Sequence, residues 1–227
     1  MIKAVFLRKS GFPLPVTLHH WLLVSSGFSC LLLAARMIVT DSLEYIFLPW
    51  NLFLAFVPYG ITQLVTGRID FIENRWKLVL ALVVWLLFIP NAFYIITDLV
   101  HFTRVRSAPK WFDLLLIFSF AWNGIMFGIV SLRKVEVISA VIRGRHFSVM
   151  LVFAVMWLNA LGVYIGRYLR FNSWDIITDP FSLVSEISDL LFNPLQNSVA
   201  WGMTFCYAVF MTLLYLSVKK LGESFTV

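Results

Sequence analysis

Six apolar stretches of about 20 residues each, near 17–39, 43–65, 76–96, 113–132, 148–166 and 199–218, dominate the chain. A helix crosses ~30 Å of hydrocarbon in about 20 residues, so each stretch is long enough to span a bilayer. The runs are continuous rather than alternating, which argues against the strands of a membrane barrel. An apolar fraction of 60%, charged residues at only 13% and a mean hydropathy of +0.87 exclude a soluble globular domain. The expectation is an all-α bundle of six transmembrane helices forming one integral membrane domain over residues 1–227. The longest connections, about 97–112, 133–147 and 167–198, leave no room for a soluble domain.

The charges orient that bundle. Of the 18 Lys and Arg residues, 12 fall on the side of the tails and of the second and fourth connections. These are Lys3, Arg8, Lys9, Arg68, Arg75, Lys77, Arg133, Lys134, Arg143, Arg145, Lys219 and Lys220. Six fall on the other side: Arg36, Arg104, Arg106, Lys110, Arg167 and Arg170. Cytoplasmic loops are the Lys/Arg-rich ones, so both termini are expected in the cytoplasm. The net charge of +6 and the basic flanks fit orientation against an anionic inner leaflet, with membrane lipids rather than nucleic acid as partners. The charged front before the first run extends into a stretch too long for a signal peptide and without a small-x-small cleavage site, which reads as an uncleaved first span. Cys30 and Cys206 both lie inside spans and form no disulfide framework.

Spans 2 to 5 each carry one asparagine: Asn51, Asn91, Asn123 and Asn159. All four fall between the outer interface and the bilayer middle, Asn91 and Asn123 at depths of roughly 8 to 15 Å. An unpaired amide in hydrocarbon is costly, so these side chains should face one another or an aqueous cavity. Interhelical hydrogen bonding would account for them as well as a functional cavity does. At 100° per residue, Asn91, Tyr94, Asp98 and His101 form a stripe running from inside the membrane into the third connection, with Pro90 at its foot. In span 5, Asn159, Gly162, Gly166 and Arg170 share a face with Arg167 beside it. The pairs Gly124/Gly128 and Gly162/Gly166 are GxxxG spacings that permit close helix packing.

If these faces converge, they do so beneath an outer mouth containing Asp98, His101, Asp113, Arg167, Arg170 and Asp175. Such groups suit acid/base chemistry or an anionic headgroup, and equally suit ion pairs tying loops together. A zinc site is disfavoured, because His101 is the sole outer histidine and no outer cysteine exists. A hard cation held by Asp98, Asp113 and Asp175 is allowed, but no cofactor is implied. No GxSxG, HExxH, Walker A or GxGxxG sequence is present. Downstream, Asp179 suits an N-cap and Pro180 the first helical position of a short interfacial helix near 180–191. Its apolar face is expected to be Phe181, Val184, Ile187 and Leu191, and two roles fit it, a cover over the mouth or simply a re-entry element before the sixth span.

Several of these segments resemble a bacterial family of integral membrane proteins, the domain of unknown function 1361. The resembling pieces are Asn51 to Ala55 with Pro58, Pro90-Asn91-Ala92 with Tyr94, and Thr97-Asp98-Leu99 with His101. Trp111-Phe112-Asp113, Ser119-Phe120-Ala121 with Gly124, and Gly166-Arg167 through Asn172 to Asp175 complete the set. Phe93 and Phe112 stand where this family is expected to carry Pro and Tyr. The resemblance implies a multi-span protein of a bacterial inner membrane and supplies no reaction.

Three functions fit these residues. The first is binding or transport of a small molecule or lipid headgroup in an outward-facing polar cavity lined from Asn51, Asn91, Tyr94, Asp98, His101, Asp113, Asn123, Asn159, Arg167, Arg170 and Asp175. The second is a membrane enzyme in which Asp98 and His101 act as an acid/base pair on an outer-leaflet substrate. The third is a non-catalytic assembly partner. An inner half read as almost entirely apolar argues against a channel, and the chain shows no internal repeat of the alternating-access kind.

Overall fold

Each of the six apolar runs becomes a helix in the computed structural model, which describes residues 15–103 and 108–224. The helices are α1 (Pro15–Thr40), α2 (Phe47–Gly67), α3 (Ile69–Glu73) and α4 (Arg75–Tyr94). A 3-10 segment (Ile95–Thr103) continues α4 before α5 (Lys110–Arg143). Then come α6 (Arg145–Tyr164) with a π-helical turn (Ile165–Leu169), α7 (Asp175–Thr178), α8 (Pro180–Phe192) and α9 (Ser198–Ser224). Six helices are long and apolar enough to cross a membrane, and no strand occurs among the described residues. Lys3, Arg8, Lys9, Arg104 and Arg106 of the charge count lie outside those residues.

Two boundaries differ from the sequence expectation. The fourth run does not end at residue 132. α5 continues through the expected connection to Arg143, 34 residues or about 51 Å. Arg133, Lys134 and Glu136 look like loop charges in sequence, yet each finds a partner on a neighbouring helix: Glu136 accepts from Lys219 at 2.6 Å and from Tyr215, and Lys134 reaches Gln63 and Thr66. The helix stops only at Gly144, whose φ of 88° is a backbone conformation that favours glycine. The third run changes from α to 3-10 after Tyr94, five residues past Pro90.

α5 is the central helix. It packs against α2, α4, α6 and the 3-10 segment, with α1 on one flank, while α9 packs chiefly on α6. One apolar core joins α2, α4, α5, α6 and α9 around Trp85, Ile89, Phe93 and Met156. A second joins α1, α2, α5 and the 3-10 segment around Leu48, Ile95, Leu116 and Phe120. Close approach on both sides of α4 depends on the glycine pairs. A Cβ at Gly124 would sit 2.5 Å from Ile95 Cγ2 and 3.2 Å from the Ala92 carbonyl. A Cβ at Gly162 would sit 2.9 Å from the Pro90 ring. The end of α4 is therefore clamped between α5 and α6.

Buried polar contacts lock the helices in register. Trp85 Nε1 donates to Ser131 Oγ at 2.5 Å, and Ser131 donates to the Pro58 carbonyl at 3.1 Å, joining α4, α5 and α2. His19 of α1 lies 2.9 Å from the Tyr59 hydroxyl, which Gln63 also contacts, and Lys134 completes that group. The half of the bundle that holds these contacts is thus more polar than the apolar reading of these spans. The start of α1 meets α2, and the end of α9 meets α5, at this same end, called here the Glu136 end. The opposite end carries Asp98.

Candidate functional site

At the Asp98 end, α2, the end of α4, the 3-10 segment and the π turn bring Asn51, Tyr94, Asp98, His101 and Arg167 together. In a 3-10 helix positions i and i+3 eclipse, so Ile95, Asp98 and His101 stack along one line. Ile95 is buried against Gly124, Asp98 is 1% exposed and His101 is half-buried. α2 runs alongside: Phe47 touches the His101 ring at 5.3 Å, and one turn later Asn51 Nδ2 donates to Asp98 Oδ2 at 2.8 Å.

Arg167 is the hub. Its Nη2 lies 3.0 Å from His101 Nε2, and its Nη1 lies 3.3 Å from the Tyr94 hydroxyl and 3.5 Å from Asp98 Oδ1. Guanidinium has no acceptor, so His101 Nε2 must accept and the neutral ring carries its proton on Nδ1. The Asp98–Arg167 contact is an ion pair without hydrogen-bond geometry, and Asp98 Oδ1 makes no hydrogen bond among the described residues. Asp98 and His101 are thus neighbours joined through Arg167 rather than to each other. Helical spacing alone aligns Arg170 with Asn159 and Gly162. The π turn advances the chain through a wider turn, which carries Arg167 round to the inward face. Arg170 ends that turn in the left-handed region at φ 63° and is exposed.

The other predicted residues go elsewhere. Asp113 is buried, but its partner is Arg36 of α1: Nε donates to Oδ1 at 2.7 Å and Nη2 to Oδ2 at 3.4 Å. Arg36 also pairs with Glu44 at 3.2 Å and lies under the Tyr45 ring at 4.4 Å. Asn123 donates to Ser29 Oγ at 3.1 Å and to the Ser119 carbonyl, tying α5 to α1. Asn159 is fully buried on α6, and neither end of its amide is hydrogen-bonded among the described residues. Asp175 sits at the surface and closes its own loop. The Asn172 backbone N–H at 2.6 Å and the Thr178 hydroxyl at 2.8 Å hold its carboxyl below the usual carboxylate range. The three carboxylates considered for a cation are therefore turned to three separate partners, and no group of three metal-ligating side chains gathers among the described residues.

Beside the Arg167 cluster lies a hollow of about 270 Å³ between α2, α4, α6 and the loop that follows it. Asn51 and Tyr94 belong both to its wall and to the cluster, so the charged groups stand directly behind a neutral surface. Asn91 is the deepest link to the loop. Its Nδ2 donates to the Phe88 carbonyl at 3.0 Å and to Ser173 Oγ at 2.9 Å, and Ser173 donates to the Leu87 carbonyl at 3.0 Å. Pro90 lies within this turn and has no N–H to give the Leu86 carbonyl, while side chains add donors to the neighbouring Leu87 and Phe88 carbonyls.

α8 roofs the hollow. Asp179 caps it by accepting from Ser182 N–H, with Pro180 at the first position, as the sequence signals. Its faces differ from expectation. Leu183 and Leu190 are buried, and Leu183 and Ile187 line the hollow, while Phe181, Val184 and Leu191 point outward. α8 is therefore apolar on two sides, one over the hollow and one toward the surroundings. Its far end is tied to α9, where Trp201 Nε1 donates to the Leu190 carbonyl at 3.0 Å and Asn197 to Asp189 at 3.0 Å.

Arg36, Ser173 and Glu136 were absent from the sequence-selected set. Arg36 had a signal, a cation inside an apolar run, which marks a paired side chain. Ser173 lies in a segment that carries the family resemblance, but residue spacing does not point to it, because its role depends on the loop folding back onto α4.

The family model described as Protein of unknown function (DUF1361) matches residues 50–215. The matched segment contains all of the Asp98 cluster and the hollow, and leaves Arg36 outside. No curated protein and no solved structure matches the chain.

Proposed function

The chain belongs to the DUF1361 family, whose function is unknown, and we propose that the hollow binds a small molecule or lipid headgroup at the outer face of a bacterial cytoplasmic membrane. The observation that carries this reading is the hollow itself: a neutral polar wall of Asn51, Asn91, Tyr94 and Ser173, braced from behind by Arg167 and roofed by a short helix. Ligand pockets are largely apolar concavities with a few fixed polar groups, and this one has that composition. The outward orientation follows from the excess of Lys and Arg at the Glu136 end. Reporter fusions after residues 42 and 180 should then score extracytoplasmic and fusions after 70 and 225 cytoplasmic.

Binding is favoured over acid/base catalysis by one contact. His101 Nε2 is occupied by Arg167, so the ring would have to give up that bond before taking a proton there. Binding is tested by filling the hollow from its roof. Ile187→Trp adds bulk where Ile187 lines the cavity and touches none of the polar network. Native mass spectrometry of wild-type protein released from its own membranes should show a bound small molecule or lipid that the variant lacks at equal melting temperature. Identical spectra for the two proteins would favour the assembly-partner reading instead.

A further inference from the structure

The hydrogen-bonding state of the wall identifies the chemistry of the occupant. This deepens the binding reading above and rests on it. Asn91 spends both amide N–H bonds, on the Phe88 carbonyl and on Ser173 Oγ, so its Oδ1 is left to accept. The orientation is not interchangeable, because a backbone carbonyl can face only the NH₂ end. Ser173 spends its one proton on the Leu87 carbonyl and keeps acceptor capacity. Asn51 turns its NH₂ toward the Asp98 carboxylate, which likewise directs Oδ1 away from it. Asn172 turns its NH₂ toward Asp175 in the same way. Tyr94 receives a hydrogen bond from Arg167 and retains its own proton to donate. The wall thus presents acceptor oxygens from Asn91, Ser173, Asn51 and Asn172, with the Tyr94 hydroxyl and the second amide N–H of Asn51 and of Asn172 as donors.

No charged side chain lines the hollow. Arg167 faces Asp98, His101 and Tyr94 and stands behind the last of these. An anion entering here would meet amide oxygens, and a cation would meet no carboxylate, so either would be desolvated without compensation. A volume of about 270 Å³ falls just under the roughly 300–1,000 Å³ of drug-sized sites. It suits a headgroup rather than a whole lipid.

We propose that the hollow binds an uncharged, hydroxyl-bearing group of glycerol type, whose O–H groups donate to Asn91, Ser173 and Asn51 and whose oxygens accept from Tyr94. That chemistry comes either from the head of a neutral glycerolipid or from a free polyol. Leu183 and Ile187 of the roof give an attached acyl chain an apolar neighbour.

The test uses the full chain in phosphatidylcholine nanodiscs, with tryptophan fluorescence as readout because Trp50 lines the hollow. The probes are glycerol, 1-octanoylglycerol and its phosphorylated counterpart, 1-octanoylglycerol 3-phosphate. The expected result is saturable binding of 1-octanoylglycerol at least tenfold tighter than that of the phosphorylated probe, weakened tenfold or more by Asn91→Leu and by Ile187→Trp. Glycerol binding as tightly as its octanoyl ester supports the same chemistry with a free polyol as source. The phosphorylated probe binding equally well or better overturns the hydroxyl assignment while leaving the binding reading intact. Binding of no probe, together with native mass spectra unaltered by Ile187→Trp, overturns both. If Asn91→Leu fails to fold, Ile187→Trp alone decides, since it leaves the wall's hydrogen bonds in place.

Discussion

The Arg36–Asp113 pair gives the sharpest energetic prediction. Both side chains are essentially unexposed, at 0% and 2%, and two hydrogen bonds join them. Asp113→Asn keeps the shape and removes the charge, leaving a buried guanidinium without its main counter-ion. Breaking a buried pair from one side costs about 3–5 kcal/mol. Glu44 also contacts Arg36, but its side chain is 45% exposed, and an ion pair of that kind offsets at most about 1 kcal/mol. The cation–π contact with Tyr45 is present before and after the change, so it cancels. The expected loss is therefore roughly 2–4 kcal/mol. The double variant Arg36→Met, Asp113→Leu removes both charges and should recover most of that loss, because an apolar replacement of a buried pair is often neutral or stabilising. Reversible unfolding of the wild type, Arg36→Met, Asp113→Leu and their double variant, by steric trapping in bilayers, measures the coupling directly, with Asp113→Asn measured beside them. A loss under ~1 kcal/mol for Asp113→Asn would refute the reasoning, as would a double variant less stable than either single one.

Other expectations concern packing, the Arg167 hub and pH. Gly124→Ala should cost about 1–3 kcal/mol by overpacking against Ile95 and Ala92, whereas Gly202→Ala, with nothing within 4 Å of its Cβ, should be neutral or slightly stabilising; equal melting temperatures for the two would contradict the clamp on α4. Arg167→Gln should lower stability by roughly 1–3 kcal/mol, since it removes the cation facing buried Asp98, and hydrogen exchange should rise first in the 3-10 segment. Asp175 and Asp189 are both held below the usual carboxylate range, Asp189 by the Asn197 and Asn193 side-chain amides. Their contributions are complete above about pH 4, the unfolded value, and disappear only as pH falls through the lower folded values. Protection factors of the Asn172 and Asn193 amides, taken against intrinsic exchange at each pH, should hold at pH 5 and fall below about pH 4, and protection lost already near pH 6 would contradict this. Glu136→Gln should loosen the last turns of α9, seen as faster exchange beyond Lys219, because Tyr215 and Lys219 both bond that carboxylate.

Much of the architecture was legible because bilayer crossing imposes a length and an apolarity that a sequence shows directly. The cap at Asp179-Pro180 was legible for a similar reason, being a local device complete within a few residues. The extent of α5 was not, since Arg133, Lys134 and Glu136 look like loop charges until Lys219 and Gln63 are known to lie opposite. At the site, the stripe of Asn91, Tyr94, Asp98 and His101 could be drawn from helical period alone. Its partners could not. Which arginine turns inward depends on a π turn that no residue spacing announces, and Asp113 left the expected group because Arg36, three membrane-length helices earlier, pairs with it. Asn91 and Ser173 are 82 residues apart, and only the folding back of the loop joins them. The two faces of α8 were misjudged for the same reason: period identifies a face, and packing decides which face is covered.

The claim at the centre of this account is that the hollow under α8 is occupied by a hydroxyl-bearing group. Cryo-electron microscopy of the protein held in nanodiscs of its native lipids tests it most directly. Non-protein density is expected under Leu183 and Ile187, within hydrogen-bonding distance of Asn91 Oδ1 and the Tyr94 hydroxyl. A hollow filled by the Ile187 side chain, or density whose phosphate sits against Arg167, would contradict it.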